Sequence, residues 1–306
     1  MEIFRTKTNI DFIGKKNYAL IFSGILVLVT IFSLVIHKGP RYGVDFSGGI
    51  LIQVKFSQPV TASQIKESIQ PINLPNCVVQ GFEEKGQNEF LIQSSRMDID
   101  IEKIQPLITQ SLAKSFGEKN FEIRRVETVG PKVGKDLRKK GVMAVIFSWI
   151  IILIYIAFRF EFSFGLGGVV ALVHDVIVTV GAFSITNKEI DLTIVAALLT
   201  IVGFSINDTI VIFDRVRENR RKSPGASLPV LINQSINETL SRTIITTGTV
   251  LLGVLALFFF GGGVIHNFAF AMLVGCISGT YSTLYIASPV VIFWEENFRG
   301  KKLKRR

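Results

Sequence analysis

Six stretches of the chain stay apolar for about 20 residues, the length that crosses a bilayer core at 1.5 Å per residue. They are 18–36, 141–158, 164–186, 191–213, 243–260 and 265–293, the last long enough to tilt or to run past the interface. Between the first and second the pattern becomes that of a soluble domain. After the punctuating pair Gly48-Gly49, the residues Ile50, Ile52, Val54 and Phe56 alternate with others as one face of a strand does. A short helix fits 61–70, and strands fit 77–82 and 89–93. Asp98 is placed to cap a helix running through Ser115, and 121–128 closes the set as a strand. The order β-α-β-β-α-β is the split βαβ, ferredoxin-like arrangement. The expected fold is a polytopic α-helical membrane protein, a six-helix bundle with an α+β domain between its first two helices. Its parts are 1–36 (N-terminal segment and first span), 37–140 (α+β domain), 141–293 (spans two to six, with loop 214–242) and a tail, 294–306.

Composition agrees with this pattern. A chain of 306 residues with 48% hydrophobic content and 25 Phe is too apolar to cover itself with water-facing groups, so the excess faces lipid. The net charge of +10 does not point to nucleic acid, because Lys and Arg cluster beside apolar runs with no stacking aromatics between them. They read as topology signals. Basic residues crowd the N-terminal segment, loop 214–242 and the tail, whereas the short turns on the other side offer only Lys188. Both termini and the loop are therefore expected in the cytoplasm, and 37–140 on the far side of the membrane. The run 18–36 is too long for a signal-peptide core and lacks a cleavage site after it, so it is expected to remain as an anchor. Cys77 and Cys276 fall in different environments and have no metal-ligand spacing, so neither a disulfide nor a metal site is expected.

Charged groups at membrane depth are costly and mark function by default. Asp208 lies inside the fourth span, and Thr193, Thr200, Asn207 and Asp214 recur there every seven residues with Gly203 beside them. Seven residues make nearly two helical turns, so they form one stripe, expected to face other helices rather than lipid. Thr209 follows Asp208 directly. On the third span Gly168, Ala171, Asp175, Thr179 and Ala182 share a face, and His174 adjoins Asp175. Arg242 opens the fifth span from the side toward which Asp208 is displaced, so a carboxylate–guanidinium contact fits the placement. Making and breaking it would alternately favour the ionised and protonated carboxylate. Ala271, Gly275, Gly279 and Thr283 form a small-residue ladder on the sixth span, whose plain reading is close helix packing. Asp45 reads as a turn residue near the interface or as part of an ion entrance. No Ser/His/Asp set, metal cluster or phosphate loop appears, so neither enzymatic activity nor a cofactor is expected.

Several segments together resemble the SecD/SecF branch of the resistance-nodulation-division superfamily. They are Val44-Asp45-Phe46-Ser47-Gly48-Gly49, Val129-Gly130-Pro131-Lys132-Val133-Gly134, Ala171-Leu172-Val173-His174-Asp175, Gly203-Phe204-Ser205-Ile206-Asn207-Asp208-Thr209, Phe213-Asp214-Arg215-Val216-Arg217-Glu218-Asn219, Ser241-Arg242-Thr243 and Gly279-Thr280-Tyr281-Ser282. They follow the family's order over nearly the whole chain. The resemblance implies a half-transporter bundle in the bacterial cytoplasmic membrane that pairs with a SecD-like subunit. Such a pair uses the proton-motive force to help an unfolded preprotein through the Sec channel. It also implies that Asp208 and Arg242 are the proton-linked pair. Asp175 is added here as a third proton-linked candidate, with Asn207, Thr209, His174 and Asp214 in support. Without the resemblance, the residues lead to half of a proton-coupled transporter, and a small-molecule exporter or a scaffold subunit remain alternatives. A second bundle is expected against the polar stripes, within reach of cysteines placed at Thr200 or Gly275. The α+β domain is expected to bind extended polypeptide at its sheet edges.

Overall fold

A computed structural model describes residues 8–75, 77–81, 88–95 and 101–299. The first span is α1 (Lys16–Ile36). A four-residue helix, α2 (Val44–Ser47), leads into β1 (Gly49–Phe56), followed by α3 (Ala62–Ile69), β2 (Val78–Gly81), β3 (Glu89–Ser95), α4 (Ile101–Phe116) and β4 (Phe121–Val129). The strands form one sheet in the order β2-β3-β1-β4 with every neighbouring pair antiparallel, as the ferredoxin-like reading requires. Ile50, Ile52, Val54 and Phe56 are buried on the face that also packs Ile65 and Ile69 of α3 and Ile104, Ile108 and Leu112 of α4. The alternation in β1 is thus the core side of the sheet. Phe82 and Asp98 lie outside the described residues.

The other spans are α5 (Pro131–Arg159), α6 (Phe162–Ile185), α7 (Leu192–Lys222), α8 (Leu228–Phe260) and a broken helix formed by α9 (Gly263–Ser282) and α10 (Ser288–Trp294). Among the described residues, six helical segments are long and apolar enough to cross a membrane. A π turn, Thr283–Ala287, joins α9 to α10. Pro289 has no N–H to give to the carbonyl four residues back, and the Ser288 hydroxyl instead donates to the Thr283 carbonyl at 3.2 Å.

Two boundaries differ from the sequence reading. The second spanning helix starts at Pro131 rather than at 141, because Gly130 and Pro131 form a helix start and the charged segment after them continues the same ladder of backbone bonds. The α+β domain therefore ends at β4, short of residue 140. Loop 214–242 contracts to 223–227, since α7 and α8 both continue beyond their apolar runs. Val216 of α7 and Ile232 and Ile236 of α8 are fully buried in one cluster, so that extension has a core of its own. The N-terminal segment is strapped onto it. Asn237 accepts the Ile10 N–H at 2.8 Å and donates to the Ile10 carbonyl at 2.8 Å, while Asn233 accepts the Phe12 N–H at 2.8 Å.

Within the bundle α6 contacts α1, α5, α7 and α9. The small-residue ladder of α9 packs against α7: a Cβ added at Gly275 would fall 2.2 Å from Ile201 Cδ1. Gly275 is therefore internal to this chain, and the expectation that it faces a second bundle is corrected. Helix α9 needs its glycine there to come close to α7.

Candidate functional site

Two carboxylates lie within the spanning helices, Asp175 on α6 and Asp208 on α7, and their surroundings differ sharply. Asp175 on α6 is wholly buried. Its Oδ2 accepts hydrogen bonds from the Ser205 hydroxyl of α7 and the Ser282 hydroxyl of α9, both at 2.8 Å, and its Oδ1 accepts from Ser278 of α9 at 2.6 Å. His174 Nδ1 stands 3.3 Å from the same Oδ1. Two helices thus send three hydroxyl donors to one carboxylate on a third. His174 Nε2 is buried with no hydrogen-bond partner among the described residues. Its ring lies 6.0 Å from that of Tyr281, whose hydroxyl bonds to Ser23 and to the Ala19 carbonyl of α1.

Asp208 on α7 is 3% exposed and has little to hold it. The Thr247 hydroxyl of α8 donates to its Oδ2 at 3.5 Å, the outer limit of such a bond. Thr246 and Arg242 of α8 also approach it. Thr247 in turn shares a 3.0 Å contact with Thr280 of α9. The direct pair expected between Asp208 and Arg242 is not closed: Arg242 is exposed and forms no ion pair among the described residues. The helices are antiparallel, and the residue of α8 level with Asp208 is Thr247, more than a turn from Arg242. Thr209, also buried, sits 2.9 Å from the Thr283 hydroxyl and donates to the Ser205 carbonyl at 3.2 Å. It therefore borders the Asp175 cluster rather than Asp208.

The middle of the seven-residue stripe of α7, Thr200 to Asn207, turns away from the rest of this chain. Thr200, Gly203, Asn207 and Asp214 are exposed, and a Cβ at Gly203 would meet nothing within 4 Å. On α8, Arg242, Thr249 and Gly253 are exposed as well. Asp214 reaches Arg159 at the end of α5, 3.7 Å away. At the same end of the bundle Asn219 is buried and donates to Ser235 at 3.0 Å and to Glu238 at 2.8 Å, and Glu238 also pairs with Arg215. A polar face on two membrane helices, with a poorly satisfied carboxylate just behind it, is an incomplete surface by the standards of a lipid-facing wall.

Sequence reasoning singled out Asp175, Asp208 and Arg242 but not Ser205, Ser278 and Ser282, the groups that distinguish the two carboxylates. The signal was present only as spacing, since Ser278 and Ser282 are four residues apart and so share one face of α9.

Comparison with known proteins agrees with this architecture. The sequence pattern described as "Protein export membrane protein SecD/SecF, C-terminal" matches residues 108–297, and that of the SecD/SecF GG motif matches 33–60. The chain is 43% identical over 294 residues to a protein translocase subunit SecF of Calditerrivibrio nitroreducens, covering 95% of this chain and 96% of that one. It is 44% identical over 304 residues to the SecF of Magnetococcus marinus, covering 98% and 97%. Among solved structures it is similar to SecDF, a translocon-associated membrane protein from Thermus thermophilus, with 33% identity and a TM-score of 0.82 over 96% of this chain. A SecDF structure in a super-membrane-facing form matches with 34% identity and a TM-score of 0.71 over 99% of this chain. The chain spans 40% and 41% of those two chains. By sequence pattern, near-full-length similarity and fold, the chain belongs to the SecD/SecF family of protein-export membrane proteins.

Proposed function

We propose that this chain is the SecF-type subunit of a protein translocase in the bacterial inner membrane, and that with a SecD-like subunit it uses the proton-motive force to assist late preprotein translocation. The observation that carries the reading is the uncovered polar face of α7 and α8 in front of Asp208. Lipid does not satisfy such a face, whereas a second bundle of the same kind does, and the SecDF chains are more than twice as long as this one. In this arrangement the basic end of α7, the start of α8 and both termini lie in the cytoplasm. The α+β domain lies outside, where its two edge strands, β2 and β4, offer unpaired backbone to an extended polypeptide.

Asp208 is the group suited to carry the proton. Asp208 is buried with one long hydrogen bond, a placement in which the approach or withdrawal of a positive charge such as Arg242 would make it release or take up a proton. One elementary charge crossing 100 mV is worth about 2.3 kcal/mol, enough to shift a two-state bundle whose forms differ by that amount. Asp175, held by three hydroxyls, is suited to fix α6, α7 and α9 around it. Asp214, His174, Asn207 and Thr209 support these two sites by position. The subunit needs no catalytic set and no cofactor for this work.

The experiment is site-directed cross-linking in native membranes from cysteines at Thr200, Asn207 or Thr249. Capture of a six-span SecD-like subunit is expected from all three. Capture of only a second copy of this chain, or of nothing, refutes the reading.

A further inference from the structure

The acidic residue of the Val44–Gly49 turn stands apart from the proton site, and its contacts give it a separate task. Asp45 Oδ2 accepts the backbone N–H of Leu192, the first residue of α7, at 3.0 Å. The first N–H groups of a helix have no partner inside it and carry the positive end of its dipole, so a carboxylate there fills an open bond and meets favourable charge. Helix α7 already has a local cap, since Asp191 Oδ1 accepts the Ile194 N–H at 2.9 Å. The second carboxylate is not needed to start the helix. What it does is tie the base of the α+β domain to α7.

The tie is reinforced on every side. Gly43 N–H donates to the Ile190 carbonyl at 2.9 Å and Ile190 N–H to the Arg41 carbonyl at 2.8 Å, a two-bond bridge just before α7. Glu189 accepts from Gln93 of β3 at 2.6 Å and from Arg41 at 3.4 Å. Phe46 is buried in one cluster with Ile190 and Ile194. Behind the turn, a Cβ at Gly134 of α5 would lie 3.0 Å from Gly48 N, and one at Gly48, whose φ is +75°, would lie 2.8 Å from Pro131 Cα. A hinge needs slack, and here backbone touches backbone.

We infer that the Asp45 turn is a rigid coupling through which movement of α7, the helix bearing Asp208, is delivered to the α+β domain, with Asp45 as its positioning residue. The inference rests on the reading that Asp208 drives α7. It assigns the acidic residue of this turn to transmission, and neither to an ion entrance nor to turn formation alone.

The test uses membrane vesicles containing the full chain with its SecD-like partner, in which export driven by ATP alone and the increment added by a proton gradient are measured separately. Asp45→Ala is expected to insert, assemble and support the ATP-driven part while losing the gradient-driven increment. Asp45→Asn is expected to keep most of it, because an amide oxygen accepts the same N–H and Asn caps helices as well as Asp does. The deciding arm is a tether. A Cβ at position 43 would stand 3.2 Å from Asp191 Cβ, within a few tenths of the span of about 3.5 to 4.5 Å that a disulfide bridges. In a background of Cys77→Ser and Cys276→Ala, oxidising the Gly43→Cys/Asp191→Cys pair should restore the increment to Asp45→Ala, and reducing it should remove it again. Two results overturn the coupling: a tether that blocks export when Asp45 is intact, or Asp45→Ala vesicles with a full increment where Asp208→Asn vesicles have none. If Asp208→Asn itself keeps the increment, the proton reading fails, and this inference fails with it.

Discussion

Replacing Asp175 by Ala removes the acceptor of three hydroxyl bonds at once, from Ser205, Ser278 and Ser282. Hydrogen bonds between membrane helices are worth about 0.6 kcal/mol on average and about 1.7 kcal/mol at most, because the separated helices also find partners. The acceptor here is wholly buried, which places these bonds toward the upper end. Asp175→Ala should therefore cost roughly 2 to 5 kcal/mol, and Ser278→Ala, which leaves the other donors in place, about 1 to 2 kcal/mol. Ser282 has a second acceptor, the Gly279 carbonyl at 3.2 Å, so Ser282→Ala should cost less than Ser278→Ala. The assay is equilibrium unfolding by sodium dodecyl sulfate in mixed micelles, followed by the fluorescence of Trp149 and Trp294. In a double-mutant cycle, Ser278→Ala should cost almost nothing once Asp175 is Ala. Additive losses, or an Asp175→Ala midpoint as high as that of Ser278→Ala, refute the view that this carboxylate holds three helices together.

Three further outcomes follow from contacts elsewhere. Asn237→Ala removes both bonds to Ile10 and should cost about 1 to 2 kcal/mol, read as faster amide exchange at 10–13 with no change along α6. Asp191→Ala removes the acceptor of the Ile194 N–H and should lose about 1 kcal/mol of capping, read as faster amide exchange at the start of α7. Gly275→Leu should push α9 away from Ile201 and destabilise the bundle by several kcal/mol, about 1 to 3 kcal/mol being usual for overpacking alone, read in the same unfolding assay.

Much of this was legible in the sequence because two periods dominate it. Spans of lipid length and the alternation at Ile50, Ile52, Val54 and Phe56 follow from burial alone, and so does the ferredoxin-like order. Helix ends were not legible in the same way. Hydropathy stops at the interface, while the backbone bonds of α5 and α7 continue through charged segments such as Lys132 to Lys140 and Arg215 to Lys222. A helical wheel correctly grouped Thr200, Asn207 and Asp214, yet it could not tell a face that meets this chain's own helices from one left for another. It likewise grouped Gly275 with residues expected at a partner, where contact with Ile201 decides otherwise. The difference between Asp175 and Asp208 was invisible, since three ordinary serines on two other helices create it. The offset between Asp208 and Arg242 depends on the register of α7 against α8, which tertiary packing sets.

The central claim is that Asp208 takes up and releases the proton. Asp208→Asn keeps the shape, the burial and an acceptor for Thr247 while removing the titrating charge. The most direct measurement is preprotein export into membrane vesicles with ATP saturating, compared with and without an imposed proton gradient, for the native chain and for Asp208→Asn. The account predicts equal assembly with the SecD-like subunit, equal export on ATP alone and no increment from the gradient in Asp208→Asn. An Asp208→Asn complex that gains as much from the gradient as the native one contradicts it, and would place the proton path elsewhere in the bundle.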